Sequence, residues 1–171
     1  MQPKRYHDQS EAIIKASQAE VFDYLDDQTR LSAHMEKRSV MMLGGRMTYE
    51  FDAAKGRAVG SVIRMGGSFL GISLFVEEIV TERTSPSRKL WETRGPQRML
   101  VIASYVMGFE TRLIGEGTGV RVFIDYKLPQ SLPGRWLGLM FAPLYAKWCV
   151  SRMVKDVSRH FGGVAEPGVA A

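Results

Sequence analysis

One cysteine, three histidines, no dense cluster of charge and no apolar run of membrane-spanning length are the scarcities that first bound this 171-residue chain. Cys149 alone excludes a disulfide within the chain and points to a reducing compartment. Between Trp148 and Val150 it reads as a small buried apolar side chain rather than a nucleophile. His7, His34 and His160 stand apart, with no acidic or cysteine partner at ligand spacing, so no metal site is expected. The glycine pairs in GGRMTYEF and MGGSF lack the strand, Lys-Ser/Thr and helix context of a phosphate loop. No serine lies in a nucleophile-elbow pattern, and no motif calls for a cofactor. The longest uncharged stretches, residues 65–76, 99–109 and 136–146, fall well short of the ~20 residues a spanning helix needs. The opening MQPKRYHDQSEA has neither the apolar core nor the cleavage site of a secretory signal. A cytoplasmic location is therefore expected, with contact at a membrane surface still open. The net charge of +5 is modest. Without a Lys/Arg run interleaved with aromatics, nucleic acid is not an expected partner.

What is present is the make-up of a globular protein, 45% apolar and 24% charged. One domain over residues 1–163 is expected, followed by a loose tail at 164–171 after the Gly162-Gly163 stop. Tyr6, Asp8, Ser10, Ala12 and Ile14 share one face of a first strand. Ser17 and Glu20 then form a capping-box pattern that opens a helix. Val21, Phe22, Tyr24 and Leu25 are its apolar stripe, and Asp23, Asp26 and Asp27 are expected on a solvated face. A second short helical turn is expected over residues 29–35.

From Ser39 onward the pattern has period two and is broken by turn residues. Strands are expected at 39–51, 58–69, 72–84, 88–94, 98–114 and 120–127, with turns at DAAKG, TSPS, RGPQ and GEGTG. The intervals are too short for parallel crossovers, so the sheet is antiparallel. Val120, Val122, Ile124, Tyr126 and Leu128 form a dry face opposite Arg121, Asp125 and Lys127. Both faces of LVIASYVMGFE are apolar, which predicts a central or covered strand. Gly66-Gly67 and Gly71 predict a bulge, a bend or a close backbone approach.

The dominant helix is expected from Pro133 to Phe161, with a kink or a fresh start at Pro143. In its later half Val150, Met153, Val154, Val157 and Phe161 make an ordinary dry stripe opposite Lys147, Ser151, Arg152, Lys155 and Arg159. Leu144 and Trp148 fall outside that stripe and call for another cover. From Trp136 to Trp148 the segment is apolar nearly all round.

This order of elements resembles the helix-grip fold of the START-like (SRPBCC) superfamily, which includes polyketide cyclases and dehydrases, lipid-transfer domains and the birch-pollen allergen group. AEVFDYLDD, GISLFVEEIVTERTSPSRKLWET and YAKWCVSRMV are similar to strings in bacterial members. The resemblance covers about Gln9 to Phe161. It implies an α+β domain in which a curved seven-stranded antiparallel sheet wraps a long C-terminal helix, with two short helices after the first strand and a cavity for an apolar or amphipathic molecule. None of these strings is a catalytic motif.

A small apolar ligand is thus the expected partner, lined by Trp91, Tyr105, Met107, Tyr126, Leu137, Phe141 and Leu144. The scattered methionines suit an adaptable cavity or an ordinary core equally. The alternative is a cyclase or dehydratase acting on a polyketide-like substrate through His34, Tyr105 or Tyr126. That reading requires phenols that are not locked to the backbone. A third reading uses residues 136–148, flanked by Arg135, Lys147, Arg152 and Lys155, for peripheral membrane contact or a homodimer.

Overall fold

The computed structural model describes residues 4–31, 46–69 and 72–162. Strand β1 (Arg5–Ile14) leads into helix α1 (Gln18–Asp26), and the sheet continues with β2 (Arg46–Phe51), β3 (Val62–Phe69), β4 (Ile72–Thr84), β5 (Arg88–Thr93), β6 (Ser104–Ile114) and β7 (Gly117–Lys127). Helix α2 (Leu132–His160) closes the described chain. The seven strands form one antiparallel sheet in the order β1-β7-β6-β5-β4-β3-β2, so the first strand completes the sheet beside the last. A helical turn spans residues 28–31, and the rest of the second short helix expected over 29–35 lies outside the described residues. His34, Gly71 and the tail at 164–171 lie outside the described residues.

The capping box forms as its residue types require. The Ser17 amide and hydroxyl both donate to the Glu20 carboxylate (3.1 and 2.5 Å), and the Glu20 amide reaches Ser17 Oγ at 3.4 Å. Val21, Phe22 and Leu25 are buried against the sheet, but so is Asp26, which is not on a solvated face. Asp26 accepts from Arg83 (2.8 Å) and pairs with Lys89 (2.8 Å), itself fully buried on β5. Burial pushes the Asp26 carboxyl up, but the Arg83 and Lys89 bonds outweigh it and hold it below the usual range. A helical wheel locates the charge of Asp26; the partners that make its burial possible come from two distant strands.

One of those partners depends on a bulge. Val80 faces Trp91, yet Arg83, three residues on, faces Lys89, because the β4–β5 register shifts between Val80 and Glu82. The extra residue turns Arg83 to the inner face, toward Asp26. The irregularity is therefore in β4, whereas Gly66 and Gly67 pair in unbroken register with β4. The expected strand over 98–114 begins only at Ser104. Before it, Arg98 makes an isolated bridge to Phe75. On the outer face of β6, a Cβ at Gly108 would lie 2.4 Å from Leu90 and 3.2 Å from Phe123. Phe123 lies 4.9 Å beneath the Arg121 guanidinium, which supplies the cover that an apolar outer face predicts. Arg64 points outward to Glu77 at 2.9 Å.

Helix α2 runs unbroken through Pro143 over 29 residues. Of the kink or fresh start expected there, the fresh start does not occur; the proline removes one amide donor, and buried Ala142 and Ala146 on either side hold the segment on the sheet. Val150, Met153, Val154 and Val157 are buried as the later stripe predicts. The helix lies chiefly along β1 and β7, leaving the inner face of the β2–β5 half beyond its main line of contact.

Candidate functional site

The inner face can be read across the sheet from its register. Tyr126 faces Tyr105, Met107 faces Trp91, Trp91 faces Val80, Glu78 faces Ile63, and Met65 faces Tyr49. This surface is apolar and aromatic with one carboxyl group set into it. Trp91, Tyr105, Met107 and Tyr126 share it, as alternation in their strands predicts. Leu137, Phe141 and Leu144 are instead exposed on α2, outside the stripe of Gly138, Ala142, Ala146 and Cys149 that is buried. Leu144 does not acquire the cover that its position calls for. Trp148 is half-buried beside Tyr145, with ring centroids 5.9 Å apart.

Among the described residues three charged side chains are buried: Asp26, Lys89 and Glu78. The first two neutralise each other. Glu78, 5% exposed between Val76 and Val80, draws its hydrogen bonds from neutral donors, the Tyr105 hydroxyl and the Trp91 side chain. Burial pushes its carboxyl up to about 7, against the opposing effects of those two bonds and the more distant Lys89 charge. The Tyr105 phenol is raised well above its ordinary value by burial and then by the Glu78 charge. It stays a proton donor at neutral pH. Tyr145 of α2 belongs to the same group, hydrogen-bonded to Cys149 one turn on. Burial pushes the Cys149 thiol up to about 12, so it carries no thiolate at neutral pH.

The buried core falls into two clusters, a large one under α1 and α2 and a small one around Met65 and Val76. Met99, Tyr105 and Tyr145 touch both while remaining only partly buried. These three large side chains bridge the two cores between the sheet and α2 while keeping some accessible surface, and Glu78 is bonded to one of them, Tyr105. Tyr126 is farther toward the β1 edge, stacked on Tyr6 at 5.6 Å and donating to Asp8 at 3.3 Å. Neither inward phenol is locked to the backbone; each reaches a carboxylate. Among the described residues no group of His, Cys, Asp or Glu is arranged to hold a metal ion.

Sequence reasoning passed over Glu78 and Tyr145. In FVEEIV one glutamate falls on each face, and Val76/Glu78/Val80 is no more apolar than Phe75/Glu77/Ile79. Pairing alone shows which set faces inward.

A seven-stranded antiparallel sheet with a long C-terminal helix along its inner face is a helix-grip fold. Solved structures share it over nearly the whole chain. A Thermus thermophilus protein matches with a TM-score of 0.66 at 17% identity, over 91% of this chain and 97% of its own. Truncated norcoclaurine synthase from Thalictrum flavum gives 0.64 at 13% identity over 94% and 95%. The di-domain ARO/CYC BexL gives 0.64 at 15% identity, over 94% of this chain and 51% of its own. At these identities the likeness is one of fold. No protein-family model and no curated protein matches the sequence.

Proposed function

We propose that the protein binds a small apolar molecule bearing one polar group, held between α2 and the inner face of the sheet, with Glu78 and Tyr105 meeting the polar end. The observation that carries this reading is a buried carboxyl, donated to by a phenol, on an otherwise apolar wall whose bridging side chains retain accessible surface. Trp91 and Met107 supply the apolar wall nearest that pair. Burying ~300 Å² of ligand at about 25 cal/mol per Å² gives roughly 7 kcal/mol before association costs. Micromolar affinity then needs only one or two polar contacts.

Titration with a panel of fluorescent fatty acids, isoprenoids and polycyclic aromatics tests this. At least one saturable binder is expected, with Glu78→Gln weakening ligands that carry a hydroxyl or carbonyl about ten-fold and leaving purely apolar ones nearly unchanged. A panel with no saturable binder sinks the proposal.

Catalysis is the second reading, favoured by a Glu78 carboxyl near pH 7 in contact with Tyr105. Such a pair could exchange a proton with an enolisable polyketide-like substrate in a cyclase or dehydratase reaction. The solved structures with this fold include proteins named as a synthase and an ARO/CYC. Turnover that survives both Glu78→Gln and Tyr105→Phe would remove these groups from the chemistry.

A further inference from the structure

The outward side of the first half of α2 carries large apolar side chains where the inward side carries small ones. Gly138, Ala142 and Ala146 are buried against the molecule. Leu132, Trp136, Leu137, Leu139, Met140, Phe141 and Leu144 are 44 to 75% exposed. Isolated exposed apolar residues are ordinary, but seven within four turns of one helix form a contiguous patch of the kind that marks an interface. Farther along, exposed Lys147, Lys155 and Arg159 take over the side turned from the sheet. Between Asp125 and Asp156 the chain has Lys127, Arg135, Lys147, Arg152 and Lys155, and no Asp or Glu.

We propose that this face docks on an anionic phospholipid bilayer, with the apolar end of α2 set into the boundary between headgroups and acyl chains and its cations on the headgroups. The charge pattern selects this occupant. A second copy meeting the same face across a two-fold axis would bring cations and no carboxylate from this stretch, whereas an anionic lipid surface complements it along its length. The helix lies on the surface and does not cross it: among the described residues no helix is long and apolar enough to span, and the inward side of α2 is committed to β1 and β7. The argument is independent of any ligand bound at Glu78 and Tyr105.

Vesicle sedimentation of the full chain tests it, using phosphatidylcholine alone and phosphatidylcholine mixed with phosphatidylglycerol. Pelleting is expected with the anionic vesicles, weakening with salt, together with a blue shift of tryptophan emission that Trp136→Phe abolishes. Lys147→Gln with Lys155→Gln should lower partitioning about thirty-fold. Trp136→Ser with Leu144→Ser should abolish it while the far-ultraviolet circular dichroism is unchanged, since both side chains are exposed. Absence of pelleting, equal pelleting with both vesicle types, or pelleting untouched by the Trp136 and Leu144 changes overturns the proposal. A dimer seen by light scattering, dispersed by those two changes and accompanied by no pelleting, would assign the face to a second copy.

Discussion

Glu78 titrates near neutrality because burial disfavours its charged form more than the Tyr105 and Trp91 hydrogen bonds and the distant Lys89 charge favour it. In the unfolded chain its carboxyl titrates at about 4.5, and in the folded protein at about 7. Between those values the folded state keeps a proton that the unfolded state has released. Its favourable contribution is therefore complete below the unfolded value and lost as pH rises through the folded one, a difference on the order of 3 kcal/mol. Glu78→Gln should match the wild type in thermal melts at about pH 5 and melt higher at about pH 8. A gap that fails to widen with pH would show that the carboxyl is not held neutral by burial. Tyr105 and Tyr126 were legible because they alternate with residues such as Met107 and Ile124, a pattern only one face can satisfy. Glu78 was not, because the residue before it, Glu77, is equally a glutamate.

At the scale of elements, α1 is tied to the sheet by charge as well as by apolar contact. Lys89 donates to both the Asp26 carboxylate and its carbonyl oxygen (2.8 and 2.9 Å) from a fully buried position. Lys89→Met would leave Asp26 buried with Arg83 alone, and a loss of about 3 kcal/mol is expected in urea unfolding. A change under 1 kcal/mol would mean that water replaces the ammonium. The capping box of α1 was readable because it is a local pattern, closed within four residues. The Asp26 pair was not, since it joins residues far apart in sequence and depends on a bulge in β4 that leaves no mark in composition. For α2, the later stripe follows helical periodicity, while the earlier half combines small residues inside with large ones outside, so hydrophobicity alone does not tell its two sides apart.

For the whole molecule, the succession of one strand, a capped helix, six strands and a long helix was legible from periodicity and turn chemistry. Strand order was not: nothing in Arg5–Ile14 announces that it pairs with Gly117–Lys127 rather than with the next strand in sequence. That pairing places Arg5 opposite Lys127 and Ile14 opposite Thr118. β1, made before every other strand of this sheet, is therefore among the last to find its neighbour. Until β7 is made, β1 is an open edge, and its alternating face, ending in Ala12 and Ile14, has no strand beside it. Chains ending at residue 116 should show no hydrogen-exchange protection of β1 amides, and the full chain should show strong protection. Equal protection in both would mean that β1 is ordered without β7. Synthesis thus carries a long interval in which an unpaired edge is exposed to other nascent copies, and the hazard ends when the seventh strand arrives.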